Sequence, residues 1–218
     1  MAITFHHDAA GFVLAGGRSS RMGRDKALLM LGGRPLIAHA LSTLRAADLS
    51  ASIAGAHGGL TEFAPVVADV ASSRGPLAGV CGALASSSAR FAVFVPIDLP
   101  FLPPSLLVYL LHHARITGRA VTVPSLAGFA QTFPAVIDRC ALPVLQSELH
   151  SGRNGCFAAF QAASARLGQS SSIVPVEFLA QAGHAFHPHG LPPIVWFSNL
   201  NTPADAEQAE TLWMRRIA

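Results

Sequence analysis

The chain has 218 residues, of which 51% are hydrophobic and 12% charged, a balance typical of a globular protein with a sizeable core and not of a disordered chain. Its net charge of +3 comes from dispersed arginines with no basic run beyond the first loop, so we expect no nucleic-acid partner. The three cysteines are widely spaced and form no C-x-x-C pair, which argues against a disulfide framework or a zinc site and fits a reducing cytoplasm.

The first segments of the chain predict a strand followed by a phosphate-binding loop. Residues 1–8 are too polar for a signal peptide, so we expect a cytoplasmic protein. Residues 12–26 read F-V-L-A-G-G-R-S-S-R-M-G-R-D-K, an apolar run of strand length that adjacent glycines end with a tight turn. A loop rich in free N–H groups and cations can surround phosphate oxygens and neutralise their charge. Lys26 is the only lysine in the chain, which favours a functional role over a solvated one.

The rest of the chain alternates between strand-like and helix-like patterns. We predict strands at 52–56, 66–70, 91–97, 120–124, 133–137 and 194–197. We predict helices at 36–44, 80–85, 106–114, 142–149, 156–165 and 204–216, with Ser105 and Thr202 as N-caps. This alternation predicts an α/β fold, a mostly parallel sheet flanked by helices, in a single domain over residues 1–218. The apolar stretch 91–111 contains four prolines and Asp98, so we expect no membrane span there.

Two aspartates are predicted to lie at strand ends. Asp69 lies near the end of the strand 66–70, and Asp98 directly follows the strand 91–97. In open parallel sheets ligands bind outside the carboxyl ends of the strands, so we expect both aspartates and the first loop to converge on one edge. Magnesium prefers oxygen ligands and bridges phosphate oxygens, and a strand-end carboxylate beside a polyphosphate suits it. We therefore predict that Asp98 is a Mg²⁺ ligand; the alternative is an aspartate that caps the turn before Pro100.

The run L-A-G-G-R-S-S-R-M-G-R-D-K-A-L-L-M-L-G-G-R-P-L resembles the signature of the molybdenum cofactor guanylyltransferase family. Three later segments, G-P-L-A-G, D-L-P-F-L-P-P and N-L-N-T-P-A-D, resemble family segments in the expected order. The resemblance implies a Rossmann-like nucleotidyltransferase fold, with GTP bound by the N-terminal half and molybdopterin or molybdenum cofactor by the C-terminal half. It also implies transfer of GMP from Mg-GTP to that acceptor with release of pyrophosphate, and a cofactor-receiving apoenzyme or chaperone as a further partner.

The same resemblance implies roles for individual residues. The implied catalytic residues are Arg21, Lys26 and Asp98, and the implied acceptor-binding residues are Arg21, Asn199 and Asn201. The implied nucleotide-binding residues are Leu14, Ala15, Gly16, Gly17, Lys26, Asp69, Pro76, Leu77, Ala78, Gly79 and Asp98.

The chain departs from the family at residues 52–57, which read S-I-A-G-A-H where many members carry N-x-N-R. Ile53 and Gly55 have no side-chain donors, so we expect weaker discrimination between guanine and other bases. The acceptor-side segment 131–136, Q-T-F-P-A-V, is also a loose match. Two alternatives stay open: a related cytidylyltransferase or sugar-phosphate nucleotidyltransferase, and a noncatalytic carrier of nucleotide or pterin.

Overall fold

The computed structural model describes residues 8–16, 25–55, 59–70, 75–153 and 155–216. Its strands are β1 (Ala9–Leu14), β2 (Met30–Leu31), β3 (Arg34–Pro35), β4 (Ser50–Ala54), β5 (Val66–Val67), β6 (Phe91–Pro96), β7 (Val121–Leu126), β8 (Phe129–Ala130), β9 (Ala135–Asp138) and β10 (Ser172–Pro175). Its helices are α1 (Leu36–Ala46), α2 (Pro76–Ser86), α3 (Pro104–Thr117), α4 (Leu142–His150), α5 (Cys156–Arg166), α6 (Val176–Gln181), α7 (Pro193–Trp196) and α8 (Pro203–Arg216). Single 3-10 turns cover Lys26–Leu28 and Arg139–Ala141.

The main sheet has the strand order β10-β7-β9-β6-β1-β4-β5, with β8 paired to β7. Strands β5, β4, β1 and β6 run parallel, and so do β10 and β7. Strand β9 runs antiparallel to both of its neighbours, β6 and β7. The predicted α/β fold with a mostly parallel sheet is therefore confirmed, and β1 occupies an interior position between β4 and β6.

Two apolar layers cover the faces of this sheet. Successive side chains of a strand point to opposite faces, so Val13, Ile53 and Val93 pack in one layer with α1 and α3. Phe12 and Phe94 pack in the other layer with α2, α4 and α5, and their rings stack with centroids 5.6 Å apart. Burial on both faces explains why these strands are apolar without alternation.

The apolar stretch 91–111 is divided among β6, a turn and the start of α3, as its prolines predicted. Within the described ranges, no helix has both the length and the apolar character needed to cross a membrane.

Two local predictions were wrong. Residues 194–197 were predicted as a strand but lie mostly in the short helix α7, which Pro193 begins with its fixed φ and which buries Trp196. The Nε1–H of Trp196 donates to the Leu191 carbonyl at 2.7 Å. Ser105 does not cap α3, which begins after Pro103; its hydroxyl donates to the carbonyl of Phe186 at 2.7 Å and accepts from the Phe186 N–H at 2.9 Å.

Candidate active site

The carboxyl ends of β1 and β6 open into a cavity of about 630 Å³. Its walls are formed by Leu14, Ala15, Gly16, Asp25, Lys26, Pro76, Pro96, Ile97, Asp98, Leu99, Gln131, Thr132, Phe133, Phe197, Asn199 and Asn201. Open α/β sheets bind ligands at this edge, and the volume suits a nucleotide-sized ligand.

Lys26 lies in a polar cluster on the cavity wall. Its Nζ donates to Asp98 Oδ2 at 3.0 Å and to Asn201 Oδ1 at 2.7 Å. The Lys26 and Asp98 side chains are 17% and 23% exposed, so this ion pair is better shielded from water than a surface pair. The cluster joins three segments that lie far apart in the sequence.

Asp98 is placed by the end of the buried strand β6. Just before it, the N–H of Ile97 donates to the carbonyl of Leu14 at 3.3 Å, which ties the strand end to β1. The Asp98 carbonyl accepts from the N–H of Leu200 at 3.1 Å. Asp98 therefore connects the sheet edge with the segment that carries Asn199 and Asn201.

Asn201 is placed by the start of α8. The Thr202 hydroxyl accepts from the Asp205 N–H at 3.2 Å, and Asp205 Oδ2 accepts from the N–H groups of Asn201 at 2.8 Å and Thr202 at 2.7 Å. This reciprocal arrangement is a capping box, and it confirms Thr202 as the N-cap. The hydrogen bond from the Asn201 N–H, followed by those from Thr202, lowers the pKa of Asp205 below its ordinary value of 3.8.

Lys26 is placed by a 3-10 turn that Asp25 begins. Asp25 Oδ1 accepts from the Ala27 N–H at 3.0 Å, and Ala27 is buried, so the turn is fixed on the core. Asp25 also lines the cavity and adds a second carboxylate to its wall. The sequence prediction did not include Asp25, although its position directly before the lysine was a signal that could have identified it.

The ends of β1 and β4 approach each other closely beside the cavity. A Cβ on Gly16 would lie 2.7 Å from the Gly55 carbonyl oxygen, so a side chain at residue 16 would force the strands apart. Asp69 Oδ1 lies 3.3 Å from the positions that a Cβ would take on Gly55 and on Gly79. Asp69 thus packs behind the cavity wall, against glycine backbone.

The predicted site residues fall into three groups. Eight line the cavity: Leu14, Ala15, Gly16, Lys26, Pro76, Asp98, Asn199 and Asn201. Four others do not line it: Asp69, Leu77, Ala78 and Gly79, of which the last three are buried within α2. Gly17 and Arg21 lie outside the described residues.

The opposite wall of the cavity comes from the segment between β8 and β9. The N–H of Gln131 donates to the Pro124 carbonyl at 2.8 Å, which brings Gln131, Thr132 and Phe133 to the cavity. The peptide bond between Phe133 and Pro134 is cis. These residues belong to the loosely matching segment 131–136, and Phe133 was predicted to begin a strand at 133–137, whereas β9 begins at Ala135.

The described part of the chain contains no cluster of three or more His, Cys, Asp or Glu side chains suited to a metal ion. Asp25 and Asp98 are the carboxylates on the cavity wall. An ion bound there would therefore need oxygen ligands from a substrate or from water as well.

Solved structures share this fold. The TM-score is 0.77 to the molybdopterin-guanine dinucleotide biosynthesis protein A of Archaeoglobus fulgidus, at 22% identity over 94% of this chain and 99% of that one. It is 0.65 to the 2-C-methyl-D-erythritol 4-phosphate cytidylyltransferase of Thermus thermophilus, at 17% identity over 93% of this chain and 98% of that one. The chain therefore has the fold of these nucleotidyltransferase structures.

The sequence comparison defines the family. The MobA-like NTP transferase domain matches residues 11–170. The molybdenum cofactor guanylyltransferase of Rhodopseudomonas palustris is 36% identical over 217 residues, which cover 93% of this chain and 91% of that protein. The chain belongs to the MobA-like NTP transferase family and is an enzyme of this nucleotidyltransferase type.

Proposed function

We propose that this enzyme transfers GMP from Mg-GTP to the phosphate of molybdopterin or its molybdenum form and releases pyrophosphate. The observation that carries the proposal is the placement of Lys26 between Asp98 and Asn201 in a nucleotide-sized cavity of a MobA-like chain. The family relationship favours guanine as the base and the molybdenum cofactor as the acceptor.

Lys26 supplies the fixed positive charge of the reaction. Asp98 and Asn201 accept two of the three ammonium protons, and Lys26 borders the cavity, so we assign the third proton to a phosphate oxygen. As an acceptor phosphate oxygen attacks the α-phosphorus in line, negative charge builds on the leaving pyrophosphate. A preorganised ammonium stabilises that charge without reorganising during the reaction, and no covalent enzyme intermediate is required.

The residues present fit a magnesium ion. Asp98 stands at a strand end on the cavity wall and already binds a cation, the Lys26 ammonium, at 3.0 Å. Magnesium in phosphoryl-transfer sites is bound through one or two carboxylates together with substrate phosphates and water, so Asp98 would hold it, with Asp25 on the same wall. When bound, the ion would neutralise negative charge on the substrate phosphates.

We propose that a single domain over residues 1–218 binds the nucleotide with one part of the cavity wall and the acceptor with another. Leu14, Ala15 and Gly16 at the end of β1 would contact the nucleotide, as would Pro76 at the start of α2. From the family resemblance alone, we assign Gly17 to nucleotide binding and Arg21 to the phosphates and the acceptor. Asp69, Leu77, Ala78 and Gly79 would support the nucleotide wall from behind.

The acceptor would bind between the remaining walls. Asn199 and Asn201 line the cavity, and so do Gln131, Thr132 and Phe133. Amide and hydroxyl groups beside an aromatic ring suit a polar, planar pterin. We further propose that the product passes in the cytoplasm to an apoenzyme or a chaperone.

The test is pyrophosphate release with GTP, ATP, CTP or UTP, with and without purified molybdopterin, with Lys26→Ala as the control of reduced activity. We expect release that requires both GTP and molybdopterin. A preference for CTP would replace the proposal with a cytidylyltransferase. Saturable binding of nucleotide without any release would replace it with a noncatalytic carrier.

A further inference from the structure

Helix α8 connects the cavity with the β2–β3 hairpin. At its start Asn201 accepts a hydrogen bond from Lys26. Two turns further along, Glu210 Oε2 accepts from the N–H of Gly32 at 2.9 Å. The indole of Trp213 covers the same glycine so closely that a Cβ on Gly32 would overlap the ring. The segment that runs from Asn201 through α8 therefore contacts both the lysine and the hairpin that follows it.

The hairpin is joined directly to the turn that carries Lys26. Residues 26–28 lead through Leu29 into β2, and the Leu29 carbonyl accepts from the Leu36 N–H at 2.9 Å where the hairpin ends. Gly32 and Gly33 turn the hairpin with positive φ of 54° and 74°. In such a short segment, a shift of the hairpin moves the lysine turn as well.

Helix α8 packs on the core through one buried residue, Ala209, and through the partly buried Leu212 and Trp213. Its other described side chains are half-buried or exposed. Trp213 also meets His39 edge-on, with ring centroids 4.8 Å apart, and the His39 Nε2 lies 2.9 Å from the carbonyl of Leu31 in β2. Glu210 and Trp213 therefore attach the second half of the helix to the hairpin.

We propose that α8 is a strap that positions Lys26, and that Glu210 and Trp213 are positioning residues. They fix the helix on the hairpin, the capping box at Asp205 fixes the chain before the helix, and Asn201 then holds the Lys26 ammonium beside Asp98. The consequence for turnover rests on the proposed function, whereas the placement of Lys26 does not.

The sole lysine permits a direct test on the full-length protein without substrate. An amine-acylating reagent is added at one pH to four proteins: wild type, Glu210→Ala, Glu210→Gln and Glu207→Ala. The acylated fraction of the peptide that contains Lys26 is measured by mass spectrometry over time. Glutamine keeps an oxygen that can accept from Gly32, and Glu207 is an exposed glutamate on the same helix, so both serve as matched controls.

We expect Glu210→Ala to raise the acylation rate of Lys26 about threefold to tenfold, because a loosened helix withdraws the Asn201 acceptor and exposes the amine. Glu210→Gln and Glu207→Ala should react at the wild-type rate. Should Glu210→Ala prove unfolded by circular dichroism, Trp213→Phe takes its place with the same expected rise. Wild-type reactivity in the loosened variant, or equal reactivity of Glu210→Gln and Glu210→Ala, overturns the strap.

The activity of the same variants separates this inference from the proposed function. With GTP and molybdopterin, Glu210→Ala should have a kcat about threefold to tenfold lower than the wild type, while its KM for GTP changes less. Absence of pyrophosphate release in the wild type would refute the proposed function, and the acylation series would still decide the strap.

Discussion

Replacement of Lys26 by alanine removes the charge that the proposed reaction uses and leaves the fold nearly unchanged. The Nζ atom contacts Asp98 and Asn201, and the lysine and aspartate side chains are 17% and 23% exposed. Because both side chains still reach solvent, we expect loss of the ion pair to cost about 1 kcal/mol of stability, near the upper end for exposed pairs. In a chain of this length, about 1 kcal/mol corresponds to a shift of roughly 2 to 4 °C in Tm, so the variant should melt within that interval of the wild type.

The catalytic effect should be much larger than the effect on stability. Removal of one preorganised donor to a developing negative charge costs about 2 to 4 kcal/mol, which is roughly 30-fold to 900-fold in kcat/KM. Asn201→Ala leaves the ammonium in place but removes one of its acceptors. A hydrogen bond to a charged group contributes about 1.5 kcal/mol, so we expect this variant to lose roughly tenfold in kcat/KM.

A double-mutant cycle tests whether the two residues act as a unit. If Asn201 acts by orienting Lys26, then Asn201→Ala should lower kcat/KM in the wild type and have little further effect in the Lys26→Ala background. The assay is pyrophosphate release at saturating magnesium, with Tm measured for all four proteins. Additive losses, with a raised KM for the acceptor in both backgrounds, would refute this reasoning and assign Asn201 to acceptor binding alone.

Three further predictions follow from single contacts. Asp98→Asn should abolish magnesium-dependent turnover with little change in Tm, and a normal magnesium titration of its activity would remove Asp98 as a ligand. Gly32→Ala should lower the free energy of unfolding by more than about 2 kcal/mol, because it adds overlap with Trp213 to positive-φ strain; Gly33→Ala, with open space around it, should lose only about 1 kcal/mol in denaturant titrations. The pKa of Asp205 lies below its ordinary value of 3.8 in the folded protein, so the ionised carboxylate stabilises the fold above pH 3.8, and this stabilisation is lost as the pH falls through the pKa of the folded state. The difference in Tm between wild type and Asp205→Ala should therefore shrink on acidification. A difference that stays constant from about pH 6 to about pH 3 would contradict this.

The sheet centre could be predicted from the sequence because burial on both faces leaves a simple pattern. Strand β6 reads F-A-V-F-V-P, and its apolar run indicated a strand over 91–97 that ends before Asp98, one residue longer than the strand in the structure. Because Asp98 follows that end, its place at the sheet edge could be predicted as well. The capping box was equally local, since Thr202 and Asp205 are three residues apart.

Other features could not be predicted because their causes are not local. Asn201 and Lys26 are 175 residues apart, and only the folded chain shows that the asparagine contacts the lysine. Strand β10 has four residues, S-I-V-P, and is a strand because it pairs with β7. In the same way, helix α7 is too short for a hydrophobic period to identify, so its apolar residues were predicted as a strand.

Residues 53 and 55, where the chain departs from the family, both lie in tightly packed surroundings. Ile53 is fully buried in the layer with α1 and α3, so its side chain does not reach the cavity, and the weaker base discrimination expected from the sequence stays a prediction. An asparagine there would bury an amide among apolar groups, at a cost of about 1 to 3 kcal/mol. Gly55 has φ of 75°, and a Cβ would come within 3.2 Å of Gly16 Cα and 3.3 Å of Asp69 Oδ1. Since neither position can present an asparagine without strain or loss of packing, we expect main-chain groups near Gly16 to discriminate the base in the proposed reaction.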